Sequence, residues 1–153
     1  MSHPTNIEPR NLAVRHFVYA HFVQHARPPS AAETAREFNM SAGQAEEIYQ
    51  KLHRGHFLFL EPGSAHIRMA NPFSARQSPF RVTTGRQTYA ANCAWDMLGI
   101  PAMLGVDAQI EAECADCGGK ITLAVKNGAV RHHNELIHFA VPFARWYDDL
   151  IFT

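Results

Sequence analysis

Hydrophobic residues recur at helical spacing near the start of the chain. Over residues 9–26 they form a broad apolar face, which predicts a first helix that ends before Pro28-Pro29. The positions that define this face are Leu12, Val14, Phe17, Val18, Phe22 and Val23. This spacing indicates a helix with one side buried against a core.

Two capping-box patterns follow this first apolar face. Ser30 precedes Glu33 by three residues, and Ser41 precedes Gln44 by the same interval. In such a box each side chain satisfies a free backbone N–H of the other residue at the start of a helix. We therefore expect a second helix after Ser30 and a third helix over about 42–54.

The hydrophobic pattern then changes from helical to strand-like. Apolar runs at 57–60 and 66–69 flank a turn at 61–64 that contains Pro and Gly, and together they predict a β-hairpin. Three helices followed by a hairpin are the order of a winged helix. The sequence therefore predicts a winged-helix-like domain over 1–75, joined to the rest by a short connector at 70–77.

The second half of the chain combines one apolar segment, 89–104, with several strand patterns. The predicted strands lie at 80–84, about 107–114, 119–126, near 136–141 and 149–153, with a turn at Asn127-Gly128 and one helical turn over 143–148. We expect residues 76–153 to form a small mixed β-sheet domain with a central helix. The predicted fold class of the whole chain is α+β.

Composition and charge narrow the classes of partner. The chain has 153 residues, of which 46% are hydrophobic and 18% charged, with a formal net charge of zero. Residues 1–75 hold seven Lys and Arg against six Asp and Glu, a net charge of +1. Glu46 and Glu47 lie in the half of the third helix that would read bases. These features argue against nucleic acid as a partner.

The chain has no pattern that predicts export or membrane insertion. The first eleven residues contain no apolar core of a signal peptide, and no later run reaches the roughly 18 apolar residues that span a bilayer. Three cysteines, an odd number, do not form a disulfide framework. We expect a cytoplasmic protein that does not contact membranes, and leave open a homodimer.

The candidate chemistry lies in the apolar segment 89–104. If this segment is helical, Cys93 and Asp96 share one face. An N-cap at Asn92, or one residue earlier, would put Cys93 in the first turn, where free N–H groups favour a thiolate. The alternative is that Cys93 is a small buried hydrophobe. Three larger side chains at helical spacing are interpreted as core: Trp95, Met97 and Met103.

The stretch Tyr-Ala-x-x-Cys-Ala-x-Asp-x-Leu-x-x-Pro-Ala-x-Leu-Gly, from Tyr89 to Gly105, resembles the active-site segment of the alkylmercury (organomercurial) lyases. The following residues, with Cys114 before Gly118, also resemble that family, as does the helical N-terminal part. The resemblance implies that Cys93 is a mercury-binding nucleophile and Asp96 the proton donor. It also implies that Cys114 is structural.

The resemblance further implies a second active-site cysteine, which in the family would come after the position of Thr153. We therefore expect the natural reading frame to continue beyond this residue. As it stands, the 153-residue chain is expected to bind organomercury through Cys93. Rapid cleavage would need a second thiolate, from Cys117 or from an external thiol.

A second cysteine pattern, Cys114-x-x-Cys117, nominally fits a zinc spacing with His133 and His138. The spacing is typical of zinc fingers that place both histidines on a helix, whereas 134–141 is predicted to be a strand that turns them to opposite sides. We therefore favour a turn between strands, with Cys114 packed inside. Cys117 is then either exposed or near the active site, and is the candidate second mercury ligand.

Two functions are consistent with these residues. The first is an organomercurial lyase-like enzyme that cleaves carbon–mercury bonds of small organomercurials by protonolysis, with Cys93 and Asp96 as catalytic residues. It would need no cofactor, only an external thiol to accept the mercury. The alternative is a non-catalytic winged-helix protein that binds a soft metal or another thiol-reactive ligand, or that regulates transcription. Turnover of an organomercurial, as opposed to binding alone, separates the two.

Overall fold

The computed structural model describes residues 7–85, 87–131, 134–139 and 141–148. In chain order its elements are α1 (Pro9–His25), α2 (Ala31–Glu37), α3 (Ala42–Arg54), β1 (Phe59–Leu60), β2 (Ile67–Ala70), β3 (Phe73–Ser74), β4 (Arg81–Thr84), β5 (Thr88–Ala91), α4 (Ala94–Leu104), β6 (Ala108–Glu113), β7 (Lys120–Lys126), β8 (Ala129–Arg131) and a 3-10 helix (Phe143–Asp148). Helices and a sheet confirm the predicted α+β class, but the predicted mixed sheet is wrong, because every described pair of neighbouring strands is antiparallel.

Both predicted capping boxes are present. The Ser30 hydroxyl accepts the Glu33 N–H at 3.2 Å, and the Glu33 carboxylate accepts the Ser30 N–H at 2.8 Å. Ser41 and Gln44 make the same reciprocal pair at 3.2 and 2.9 Å. Because these bonds depend on residues three apart, the start of α2 and that of α3 follow directly from local sequence.

All strands in the described part of the chain belong to one sheet. Their spatial order is β1-β2-β3-β5-β4-β6-β7-β8, and every neighbouring pair is antiparallel. The predicted domain boundary after residue 75 falls between β3 and β4, inside this sheet. The β1–β2 pair that follows the three helices is therefore continuous, through β3, with the strands around the Cys93 segment.

Three of the strands are absent from the sequence-based prediction. β3 lies in the predicted connector, and at two residues it is too short to give a pattern. β5 takes up the first residues of the apolar segment 89–104, which the sequence pattern treats as one continuous run. β8 comes directly after Asn127-Gly128, whose φ angles of 52° and 74° form the predicted hairpin turn.

The prediction of a strand near 136–141 is wrong for those of its residues that the structure describes. Residues 134–139 and 141 have no regular secondary structure, and the Leu136 side chain is 93% exposed. The outer strand beside β7 is β8 instead. The strand predicted at 149–153 lies outside the described residues.

Helix α1 packs directly on the strands next to the candidate site. The Phe22 ring stacks on Phe73 of β3, with centroids 5.3 Å apart and planes at 10°. The Tyr89 hydroxyl on β5 donates to the Val23 carbonyl at 2.8 Å. Phe22, Phe73 and Tyr89 are all buried, so the N-terminal helices and the sheet share one core. Among the described residues, no helix has both the length and the apolar character to cross a membrane.

Candidate active site at the start of helix α4

Strand β5 leads through Asn92 and Cys93 directly into helix α4. Cys93 is itself the N-cap of this helix, with an extended backbone (φ −149°, ψ 179°). The expected N-cap at Asn92 or earlier is therefore wrong, and Cys93 does not lie in the first turn. The reason is that β5 runs up to Ala91, so the chain is still extended when it reaches Cys93.

The predicted pair of Cys93 and Asp96 is brought together by this geometry. Cys93 makes no side-chain cap bond, and its Sγ instead donates to Asp96 Oδ2 at 3.5 Å. The Cys93 carbonyl accepts the Met97 N–H at 3.1 Å, which begins the helix. The thiol and the carboxyl therefore share one face, as the three-residue spacing predicts.

The carboxyl of Asp96 is half-buried, and its pKa is raised. Burial is the main cause, because removal from water disfavours the charged carboxylate. Hydrogen bonds from the Cys93 thiol and from Asn92 oppose this rise without cancelling it. Asp96 therefore holds a proton more readily than an exposed aspartate.

The pKa of the Cys93 thiol is also raised. Burial is again the largest cause, and the negative charge of Asp96 adds to it. The backbone N–H groups of Asp96 and Trp95 act in the opposite direction but are outweighed. The expectation that the helix start favours a thiolate at Cys93 is therefore wrong, since desolvation exceeds the effect of the N–H groups.

Side chains from distant parts of the chain support this pair, and the sequence pattern did not reveal them. The Asn92 amide donates to Asn71 Oδ1 and to the Phe73 carbonyl, both at 3.4 Å. The Tyr19 hydroxyl of α1 donates to the Asn71 carbonyl at 2.9 Å. Burial raises the pKa of Tyr19, Arg15 opposes the rise, and the charge of Asp96 adds to it. The Asp96 carboxylate therefore lies close enough to Tyr19 of α1 to affect the pKa of its hydroxyl.

Helix α4 approaches the loop between β2 and β3 very closely. A Cβ atom added at Gly99 would lie 3.2 Å from Cβ of Pro72, which is tighter than an ordinary contact. The Asn71-Pro72 peptide in this loop is cis. Gly99 therefore lets α4 lie against the loop that carries Asn71, one of the partners of Asn92.

The large side chains of α4 do not all belong to the core. Met97 is buried, as predicted, but Trp95 is 56% exposed and Met103 45% exposed. Trp95 lines an open apolar cavity of about 680 Å³, whose other walls are Phe139, Val141, Pro142, Phe143 and Trp146. The interpretation of Trp95 as core is wrong because the aromatic residues near it come from the 3-10 helix and the loop before it, not from the sheet.

The remaining two cysteines lie elsewhere, in the turn between β6 and β7. Cys114 is half-buried, whereas Cys117 is exposed, and all three cysteines are free thiols. Among the described residues no cluster of three or more His, Cys, Asp or Glu side chains could hold a metal ion. His133 of the nominal zinc pattern lies outside the described residues.

The comparisons with known proteins point to one family. The family model described as alkylmercury lyase matches residues 73–151, which include Cys93, Asp96, Cys114 and Cys117. Ten chains of solved structures match the fold. One of them is the crystal structure of the mercury-bound form of MerB2, which is 16% identical with a TM-score of 0.66.

That match covers 83% of this chain and 61% of the MerB2 chain, so this chain spans about three fifths of the length of its structural relative. At this identity the likeness concerns the fold. No curated protein matches the chain by sequence. The family model, by contrast, covers more than half of the chain, including the whole segment that carries the paired thiol and carboxyl. The chain therefore belongs to the alkylmercury lyase family.

Proposed function

We propose that this chain is an organomercurial lyase-like enzyme that cleaves carbon–mercury bonds by protonolysis, with Cys93 and Asp96 as its catalytic residues. The observation that carries the proposal is the contact of Cys93 Sγ with Asp96 Oδ2 at 3.5 Å. Burial raises the pKa of both groups, so the pair holds a proton that a reaction can use. Soft mercury prefers sulfur ligands, which makes Cys93 the binding atom.

The first step is capture of the organomercurial cation R–Hg⁺. As Cys93 Sγ forms a bond to mercury, its proton passes to the adjacent Asp96 carboxylate. The raised pKa of Asp96 suits this role, because a carboxyl of ordinary acidity would not keep the proton. After capture the site holds R–Hg–S(Cys93) beside a protonated Asp96.

The second step is proton delivery to carbon. A second thiolate binds mercury and increases the electron density on the metal, after which Asp96 donates its proton to the mercury-bound carbon. The carbon–mercury bond breaks, the hydrocarbon R–H leaves, and mercury(II) remains on two sulfur atoms. Asp96 returns to the carboxylate, so protons and charges balance. The second thiolate is supplied by Cys117 or by an external thiol, and no cofactor takes part.

The N-terminal part is proposed to cover this site and not to read DNA. Residues 1–75, with three helices followed by the β1–β2 pair, are taken as a winged-helix-like unit. Tyr19 of α1 reaches Asn71, whose side chain contacts Asn92, next to the catalytic cysteine. Glu46 and Glu47 on α3 are exposed and oppose binding of phosphate. A reducing cytoplasm suits the three free thiols.

Turnover of phenylmercury with an added monothiol tests the proposal. Benzene release is expected from the unaltered chain and from Glu111→Gln, which changes an exposed carboxylate on β6. Cys93→Ser is expected to release none, because serine does not bind mercury at a comparable strength. Benzene release by Cys93→Ser at the original rate would refute the role of Cys93. Tight binding of phenylmercury with no benzene released by any variant would favour the non-catalytic alternative.

A further inference from the structure

The turn between β6 and β7 is a compact loop that carries two thiols. The Cys114 N–H donates to the Gly119 carbonyl at 2.9 Å, and the Gly118 N–H donates to the Cys114 carbonyl at 2.9 Å. Gly118 adopts a φ of 69°, in the left-handed region that favours glycine. These constraints hold Cys114 and Cys117 on the same tight turn.

The sulfur of Cys114 faces several hydrogen-bond donors. The Cys117 thiol and the backbone N–H groups of Cys117 and Asp116 all lie close to it, so the two sulfur atoms are neighbours on the turn. Cys117 is exposed, so the pair is open to solvent on one side. Two thiols on one tight turn, with one side open to solvent, can both reach a single metal ion.

We propose that Cys114 and Cys117 form a dithiol site that binds mercury(II). In the described part of the chain no third His, Cys, Asp or Glu completes a metal cluster here. A structural zinc site needs four ligands, whereas mercury(II) is commonly satisfied by two thiolates. Binding forms two sulfur–mercury bonds and releases the protons of both thiols. The donor set therefore fits a soft cation of low coordination number.

The sheet places this pair on the same side of the molecule as Cys93. β5 and β6 are both antiparallel to β4, so they run in the same direction. Ala90 and Glu111 both pair with Arg81, and are therefore level with each other. Two strand spacings separate them, about 10 Å. Cys93 and Cys114 each follow three residues later, so both leave the sheet at the same end.

At this position the dithiol could accept mercury(II) from Cys93, a role that rests on the proposed function. Mercury(II) left on Cys93 after cleavage would pass to the turn by thiol exchange. A sulfur–mercury bond forms at Cys114 or Cys117 with loss of that thiol's proton, the bond to Cys93 breaks, and Cys93 regains a proton. The binding of mercury(II) by the pair does not depend on this role, and it can be tested without any turnover.

The experiment uses the full chain with Cys93→Ser, fully reduced and without oxygen, so that only the two turn thiols remain. Mercury(II) chloride is added in the presence of a competing monothiol, and bound metal is measured by intact-mass spectrometry and by ultraviolet thiolate–mercury absorption. One mercury per chain is expected. Adding Cys114→Ser or Cys117→Ser should weaken binding on the order of a hundredfold, the usual gain from two tethered ligands.

A second measurement keeps the test valid if a variant folds poorly. In the Cys93→Ser chain, mercury(II) should protect both Cys114 and Cys117 from alkylation, as read from the modified peptides, whereas zinc at the same concentration should protect neither. Protection of only one cysteine, equal protection by zinc, or unchanged affinity after either serine substitution would overturn the proposal. Mercury bound to the pair with no benzene release by the unaltered chain would refute the proposed function alone. Benzene release with no mercury on the pair would refute the dithiol site alone.

Discussion

Cys93 and Cys114 have similar backbone neighbours, yet the pKa values of their thiols are shifted in opposite directions. In both cases the backbone N–H groups two and three residues ahead act to lower the pKa of the thiol: Trp95 and Asp96 for Cys93, and Asp116 and Cys117 for Cys114. Burial and the Asp96 charge raise the pKa of Cys93, whereas at Cys114 the hydrogen bonds prevail and lower it.

The comparison shows that backbone donors alone do not determine the state of a cysteine. The two pKa values differ because of desolvation and the neighbouring carboxyl. Desolvation removes water from the whole charged thiolate, whereas each N–H group stabilises it at one point only. Cys93 is therefore suited to a reaction that moves a proton, and Cys114 to direct binding of a metal as thiolate. The following changes test this division, in order of expected effect.

The largest effect is expected from Asp96→Asn. The variant keeps the shape of the side chain but cannot deliver a proton, and general acid catalysis commonly contributes on the order of a hundredfold or more. Benzene release from phenylmercury should fall by roughly that factor, while labelling of Cys93 by phenylmercury persists. Glu111→Gln is the matched control. Equal turnover in both variants would contradict the assignment of Asp96 as proton donor.

The second prediction concerns alkylation, which requires a preformed thiolate. With iodoacetamide at pH 7, Cys114 should react faster than Cys93 on the order of tenfold, since the lower pKa leaves more thiolate. In the proposed mechanism, mercury capture at Cys93 does not need a preformed thiolate, because Asp96 accepts the proton. We therefore predict that Cys93 is the first thiol labelled by a limiting mercurial. Faster alkylation of Cys93 than of Cys114 would contradict the opposite pKa shifts.

The same contrast explains what the sequence could and could not predict. The pairing of Cys93 with Asp96 depends on a spacing of three residues, so it was visible in the sequence. The raised pKa of Cys93 depends on burial by the assembled fold, and the helix-start argument alone led to the wrong sign. The exact N-cap depended on β5, which was not recognised.

Supporting residues from far along the chain were harder to find. Tyr19 is separated from Asn71 by 52 residues, and only the packing of α1 on β3 and β5 brings them together. The sequence suggests Asn92 as the N-cap of a helix, whereas its side-chain amide donates hydrogen bonds to Asn71 Oδ1 and to the Phe73 carbonyl. Local capping boxes and hairpin turns were predicted well because every partner lies within a few residues.

A smaller effect is expected from Asn92→Ala. The hydrogen bond from the Asn92 side chain opposes the rise in the pKa of the Asp96 carboxyl, so its loss should raise this pKa further. Asp96 then stays protonated to higher pH. In a plot of turnover against pH, the decline on the alkaline side should therefore move to higher pH. Loss of the bonds to Asn71 and Phe73 should also slow turnover by roughly fivefold, the effect of about one hydrogen bond.

Gln109→Ala removes an exposed amide from β6 and serves as the control for Asn92→Ala. Neither change should alter the alkylation rate of Cys114, because Asn92 acts only on the Asp96 side of the comparison. A shift of the alkaline decline to lower pH in Asn92→Ala would contradict the hydrogen bond to Asp96. An equal upward shift in Gln109→Ala would show that the effect is not specific to this amide.

The smallest effect is on stability, and it follows from the same burial that sets the two cysteines apart. The pKa of Asp96 is higher in the folded chain than in the unfolded chain, so folding favours the protonated carboxyl. This contribution is fully present below the unfolded pKa and is lost as the pH rises through the folded pKa. As the pH rises, Asp96 therefore becomes a half-buried charge that destabilises the fold. Asp96→Asn should raise the melting temperature by about 2–4 °C at pH 8, corresponding to ~1 kcal/mol, and by less at pH 4. Glu111→Gln, at an exposed site, should change it little at either pH. A larger gain at pH 4 than at pH 8 would show that the carboxyl is stabilised as the anion, and would contradict both its raised pKa and its suitability as an acid.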